Sequence, residues 1–562
     1  MTKRFVVVLS VLLALIMLVA CGGSAPSGGG TSSGGTSSGG TSSGGASSGG
    51  ASSGGTSSGG AAAGPARSKT VRYAYGSKPR TLDPNDYPDN ESQISFYMYM
   101  DALIYTPHTG TGYEPRLAKS WDIDPGGMFW TFHLQEGISW SNGDPLNADD
   151  VVCTVERIVD RADDLSYKGQ YIPTISHAER IDDLTVRIYF TEPTPLAGNG
   201  FRTLHIIPKK LYEQYGDGMF YDQGKDYYLV GNGPWLAEEW VDGQYMHYKK
   251  NPTYWNKAKY DPYFDEIYSL QITEASTGIA AHISGDVDAL LISGGVPLDY
   301  LSLYAGTEDR IEMINVEGNN WYWFGFKYGE GSMWNDKDVR EAFNMAINRQ
   351  LIVDALYGGT GASVPHGYLG QSSIEGYDPN LRYPAYDPVK AKELLANSTY
   401  DGRSFEIVLT GNSSAFEQIG VTLMDMLKSV GFNMEFTLET SANATARMNA
   451  GDYDVFMSQG GFTDGVIQRQ MSRIINDNEK TLYRSDELFS YIRGYLDTIN
   501  EADRMNYARS VNRYITTELA PHINLIHRAQ TFAQDYGIAG IRYAPDGYTN
   551  FVNVDWDPSL IP

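Results

Sequence analysis

The sequence predicts an α/β fold built from two or more lobes. Three observations carry this expectation. Beyond an apolar leader and a glycine–serine stretch, about 495 of the 562 residues remain, too many for one simple core. Segments with strand and helix patterning are mixed along all of that length. Residues 416–439 read as helix, glycine stop and strand, the unit from which α/β lobes are assembled.

In chain order, Lys3 and Arg4 precede an apolar run from Phe5 to Val19, and small Ala20 stands before Cys21. This is the layout of a secretory signal peptide, residues 1–20, and the run is short for a membrane-spanning helix. Leu18-Val19-Ala20-Cys21 resembles the lipobox of bacterial lipoproteins, which implies lipid attachment at Cys21. Residues 21–67 are Gly, Ser, Thr and Ala with hardly a charge, a composition expected to form a disordered tether reaching roughly 40 Å. Gly30–Gly34 matches G-x-S-x-G, but a nucleophile elbow needs a strand before it and a helix after it.

"VRYAYGS" (71–77), "FWTFHLQ" (129–135) and "LTVRIYF" (184–190) alternate as half-buried strands. "NADDVVCTVERIVDR" (147–161) predicts a helix capped by Asn147, with Val151, Val155, Ile158 and Val159 on one face. "DVREAFNMAINRQLIVDALYGG" (338–359) predicts one long helix, capped by Asp336 or Asp338 and stopped at Gly358-Gly359. "DPVKAKELLANS" (387–398) predicts another capped helix.

The chain carries 43 basic and 68 acidic residues, a net charge of −25. Such a surface argues against nucleic acid and against adsorption to anionic lipid. With Cys21 lipidated, only Cys153 is left, so no internal disulfide is expected, and its helical apolar setting predicts an inert core thiol. The 40 Tyr, 20 Phe and 10 Trp suit either a large mixed core or a cleft that stacks on ligands.

No metalloprotease, paired-cysteine, phosphate-loop or dinucleotide motif is present, and no histidines stand at metal-ligand spacing. Asp149-Asp150 and Asp182-Asp183 fall at a helix start and a turn, where they cap. The residues therefore predict a binding protein with no cofactor or metal, not an enzyme; a secreted hydrolase is the alternative of another class.

Several segments together resemble one family, the extracytoplasmic solute-binding proteins of peptide-type ABC transporters (family 5). They are "TLDPNDYPDNES" (81–92), "EPRLAKSWDIDPGGMFWTFHLQEGISWSNGDPLNADDVV" (114–152), "VGNGPWLAEEWVDGQYMHYKKNPTYW" (230–255), "DKDVREAFNMAINRQLIVDALYGGTG" (336–361) and "YDPVKAKELL" (386–395). The resemblance implies a two-lobed periplasmic-binding-protein (flytrap) fold with an extra subdomain inserted in lobe one. Lobe one would comprise 68–91, 198–315 and 528–562, the inserted subdomain 92–197, and lobe two 316–527. The chain would cross between lobes near Val316 and near "PHINLIHR" (521–528).

The resemblance further implies a monomeric, extracytoplasmic, lipid-anchored receptor that partners an ABC permease. Its solute would be an oligopeptide; an oligosaccharide is the alternative, with nickel chelates and opines behind. In peptide-binding members an aspartate pairs with the peptide ammonium, and "GDYDVFMSQGGFTDG" (451–465) occupies its place, with Asp464 as candidate beside Gln459, Gly460, Gly461 and Phe462. The aromatic context usual around that aspartate is missing here. Ser77 and Lys78 match a loop whose main chain approaches ligand. In "GNNWYWFGFKY" (318–328), Trp321 and Trp323 should face one way on a strand and Tyr322 and Phe324 the other, one face core and the other lining the cleft.

Overall fold

The alternation of "VRYAY" yields the first strand of a large mixed sheet. In this computed structural model the strands are β1 (Thr70–Tyr75), β2 (Ile104–Tyr105), β3 (Glu114–Pro115), β4 (Ala118–Ile123), β5 (Phe129–Leu134), β6 (Ile175–Asp182), β7 (Thr185–Phe190), β8 (Trp235–Val241), β9 (Tyr245–Lys250), β10 (Glu266–Gln271), β11 (Ala289–Leu291), β12 (Ile311–Phe326), β13 (Ala362–Ser363), β14 (Ser404–Thr410), β15 (Asn433–Glu439), β16 (Val455–Gly461), β17 (His522–Asp535), β18 (Ile538–Ala539) and β19 (Asp555–Trp556). The structure describes residues 68–562, apart from 77, 87–89, 106–111, 292–294, 360, 373, 412–413, 462–466, 477–481, 542, 544–550 and 562. Met1–Ala66 and Arg67–Pro562 form separate units, and the second carries every described element. The leader, Cys21 and the tether lie outside the described residues.

The main sheet has eleven strands in the order β15-β14-β16-β12-β17-β11-β1-β10-β9-β8, with β13 also on β17. Its centre is the long antiparallel pair β12 and β17. Residues 311–317 of β12 pair with 529–535 of β17 beside β11, whereas 320–325 of β12 pair with both β17 and β16. One half-sheet holds parallel β1, β10 and β11; the other holds parallel β14, β15 and β16. A separate antiparallel sheet, β4-β5-β7-β6, takes all its strands from residues 118–190.

Both faces of the second half-sheet are covered. Tyr322, Phe324, Ile407 and Leu409 pack under helices Lys337–Ala346, Arg349–Tyr357, Pro388–Asn397 and Ser414–Val430. Trp321, Trp323, Val408 and Phe456 pack under helices Gln468–Asn476, Asp486–Asp497 and Glu501–Glu518. The alternation of the aromatics on β12 is as expected, and Trp321 and Tyr322 are each 3% exposed.

Local signals set most helix ends. Asn147 closes a capping box with Asp150 at the start of helix Ala148–Asp160. Asp336 accepts from the Asp338 N–H at 2.9 Å, and Asp387 caps the helix at Pro388. The long helix expected over 338–359 is instead two, Lys337–Ala346 and Arg349–Tyr357. Ile347 is extended, and the Asn348 side chain accepts from the Leu351 N–H at 3.0 Å to start the second helix. The break lets buried Arg349 donate to the Asn524 carbonyl at 3.1 Å and to Asn344 Oδ1 at 2.7 Å. That tertiary demand overrides the helical periodicity.

Two motif glycines are explained by close approach. A Cβ at Gly231 would lie 2.0 Å from the Tyr99 carbonyl oxygen, and one at Gly233 would lie 2.6 Å from the Tyr99 carbonyl carbon. Cys153 is buried, and desolvation pushes its thiol up to about 11, which keeps it protonated and unreactive.

Candidate functional site

In open sheets with parallel strands, solutes bind outside the carboxyl ends of those strands. β1 and β10 end at Tyr75 and Gln271 on one half-sheet. β14 and β16 end at Thr410 and Gly461 on the other. Between them run β12 and β17, and here the ladder is irregular: Glu317 pairs with Ala529, yet Asn320 pairs with Arg528, so β12 carries two extra residues.

The structure brings together two segments that lie far apart in sequence. Gln459, Gly460 and Gly461 pair in register with Tyr322, Trp321 and Asn320. The Trp323 ring meets Phe456 at 4.9 Å and His522 at 4.2 Å between centroids. Trp321, Trp323, Tyr368, Arg473 and His522 are among the walls of a small pocket with room of about 20 Å³. Burial, and then the Arg473 charge, push the His522 imidazole down to about 3, so the pocket contributes a neutral ring there.

Of the other expected site residues, Lys78 lies at the end of β1 and places Nζ 2.9 Å from both carboxylate oxygens of Asp242. Ser77, Phe462 and Asp464 lie outside the described residues.

The sequence reading passed over Arg528 and Gln530. Both stand on β17 at the irregular stretch, on the same face because they are two apart. The half-buried Arg528 guanidinium lies over the Tyr322 ring, 5.4 Å from its centroid. Its Nε is buried without an acceptor, as is Gln530 Oε1 without a donor. The only signal in the sequence was a basic residue inside the otherwise uncharged run "INLIHRAQTFAQ". Among the described residues no group of His, Cys, Asp or Glu is placed to hold a metal ion. No helix among them is long and apolar enough to cross a membrane.

Two lobes of α/β structure around a pair of crossing strands define a solute-binding protein. Residues 112–478 match the family described as bacterial extracellular solute-binding proteins, family 5. The chain belongs to this family, whose members serve ABC importers. It is 26% identical over 381 residues to the periplasmic oligopeptide-binding protein OppA of Haemophilus influenzae, covering 63% of this chain and 68% of that one. It is 24% identical over 489 residues to heme-binding protein A of the same organism, covering 81% and 86%. Its fold is similar to that of HbpA2 from Haemophilus parasuis, with a TM-score of 0.76 at 19% identity, over 87% of this chain and 100% of that one.

Proposed function

We propose that the protein is a lipid-anchored receptor that closes around an oligopeptide and hands it, unaltered, to the permease of an ABC importer. The observation that carries this reading is the pair β12 and β17, which threads both half-sheets and loses its regular ladder between Glu317 and Asn320. A closing motion needs few strands to bend and a place where pairing already yields. The lobes that move would be 68–91, 198–315 and 528–562 on one side and 316–527 on the other, with 92–197 carried along as a subdomain. Cys21 would hold the anchor, and residues 21–67 would let a monomeric receptor search beside its permease.

The solute would lie extended between the lobes, its main chain bonded like an added strand. Asp464 would pair with its ammonium, flanked by Gln459, Gly460, Gly461 and Phe462, while Ser77 and Lys78 would offer main-chain groups from lobe one. The oligopeptide-binding name of one relative supports this ligand. An oligosaccharide is the second reading, favoured by the indoles of Trp321 and Trp323 at the pocket wall. Mass spectrometry of small molecules released by denaturing the purified protein separates the two: peptide masses are expected, and hexose-spaced masses would reverse the order.

A further inference from the structure

We infer that Leu196 and Asn199, where the inserted subdomain returns to lobe one, form a latch on lobe two. Opening of the receptor then requires this contact to part as well as the crossing strands to bend. The inference rests on the receptor reading above and its lobes, and it adds a point of control outside the expected solute site.

The carrying observation is the core that Leu196 joins. Its chain neighbours Ala197, Phe201 and Leu204 belong to the core that also holds Trp130, Phe132 and Val186 of the separate sheet. Leu196, 5% exposed, packs instead with Trp321, Ile467, Met471 and Tyr495. Every other buried member of that second core lies between Trp321 and Ile515. An apolar side chain lodged in a neighbouring core returns to water whenever the two bodies part, and that cost holds them together.

Polar contacts flank this plug. Asn199 Nδ2 donates to Gln468 Oε1 at 3.1 Å, and the Tyr113 hydroxyl donates to Asn199 Oδ1 at 2.7 Å. The relay fixes the Asn199 amide so that its N–H faces lobe two. The Tyr113 phenol is buried on the same seam and feels the charges of Glu375 and Arg504 from lobe two. A second foothold lies at the turn between β4 and β5, where a Cβ at Gly127 would lie 3.1 Å from Ile499 Cδ1. Gln468 opens the helix that follows β16 in the chain, and Ile499 stands just ahead of helix Glu501–Glu518. The seam thus has an apolar centre, a hydrogen-bond relay and a separate contact, and it uses none of the residues expected to touch solute.

The test places spin labels on the full chain in detergent micelles, at Glu136→Cys in the inserted subdomain and Arg509→Cys in lobe two, both exposed positions. Buried Cys153 does not take the label, and a labelled chain without the added cysteines checks Cys21. Double electron–electron resonance reads the distance distribution in the wild-type background, Leu196→Ser and Asn199→Ala. Each is measured alone and with a mixture of short peptides or of hexose oligomers, with thermal unfolding as the folding control. The expected result is a dominant distance matching this structure in the wild-type background, alone or with solute. The ratio of that short distance to longer ones should fall about tenfold or more in L196S. It should fall in the same direction, by about threefold to tenfold, in N199A, which decides the matter if L196S does not fold. Variants that shift the distribution while no solute mixture shifts it in any chain would overturn the receptor reading and leave the latch standing. A distribution unchanged in the folded variants, or a wild-type background without the short distance under every condition, would overturn the latch.

Discussion

Gly460 passes directly beneath the Trp321 indole. A Cβ added there would lie 3.3 Å from Trp321 Cζ2 and 3.4 Å from Trp323 Nε1. Substitution to valine crowds both rings, and overpacking of this kind costs about 1–3 kcal/mol. Gly460→Val is therefore expected to unfold at lower urea and to change the near-ultraviolet circular dichroism of its tryptophans. An unchanged spectrum would mean that the rings are not held against this strand.

Asp83, in the "TLDP" segment, ties helix Ala148–Asp160 to the segment that follows β1. Arg157 Nη1 donates to Asp83 Oδ1 and to Asn85 Oδ1 at 2.9 Å each, and Nη2 reaches Asp217 at 2.9 Å. The Arg157 side chain is wholly buried. Removing its main partner strands a buried cation, so Asp83→Ala should lose about 3–5 kcal/mol in chemical denaturation. A loss below about 1 kcal/mol would show that Asp217 compensates.

Three imidazoles oppose folding in acid. Burial pushes His205, His522 and His527 each down to about 3. The unfolded chain binds protons at these sites from about pH 6.5 downward, whereas the folded chain resists until about 3. Stability is complete above the ordinary histidine range and is lost as pH falls through it. His527→Gln should flatten this acid limb of the melting temperature against pH, and an unaltered slope would mean the ring is charged in the fold.

Glu375 works in the opposite direction. It is buried, accepts from the Tyr495 hydroxyl and from the Ile467 N–H, and desolvation raises its carboxyl above the usual range. Its penalty is absent below the ordinary glutamate range, grows as pH rises above that range, and is complete once pH has passed the folded value. Glu375→Gln should therefore raise the melting temperature at pH 8 more than at pH 4. An equal effect at both pH values would mean that ionisation is not what the substitution removes.

Two substitutions address anchoring and ligand. Cys21→Ser should move the protein from the detergent-rich to the aqueous phase on phase partition; retention in detergent would place the anchor elsewhere. Asp464→Asn should weaken a bound peptide with a free ammonium by about 2 kcal/mol in titration calorimetry and scarcely touch a neutral sugar. An undiminished peptide affinity would remove Asp464 from the site.

Short-range signals were legible without coordinates, because they act within a few residues. The caps at Asn147, Asp336 and Asp387 are side chains bonding to their own helix, and the alternation of Trp321, Tyr322, Trp323 and Phe324 follows from the strand period. The family motifs were legible as residue patterns, although the reason for Gly231 and Gly233, the close approach of the Tyr99 backbone, is a tertiary one.

Other features arise only when distant parts of the chain meet. Ile347 and Asn348 continue a helical pattern, and the helix nevertheless breaks there because Arg349 is claimed by the carbonyl of Asn524. That helices from residues 468–518 pack beside Trp321 and Trp323 on the second face of β12 is set by the tertiary structure. Arg528 is one basic residue among 43 in the sequence. Its lack of a partner is a property of everything that surrounds it. The sequence by itself determined the elements, their caps and the family, since these depend on local backbone energetics and residue pattern. The tertiary structure decided which faces stay covered and which charge is left unpaired, since burial and pairing are set by packing across the whole chain.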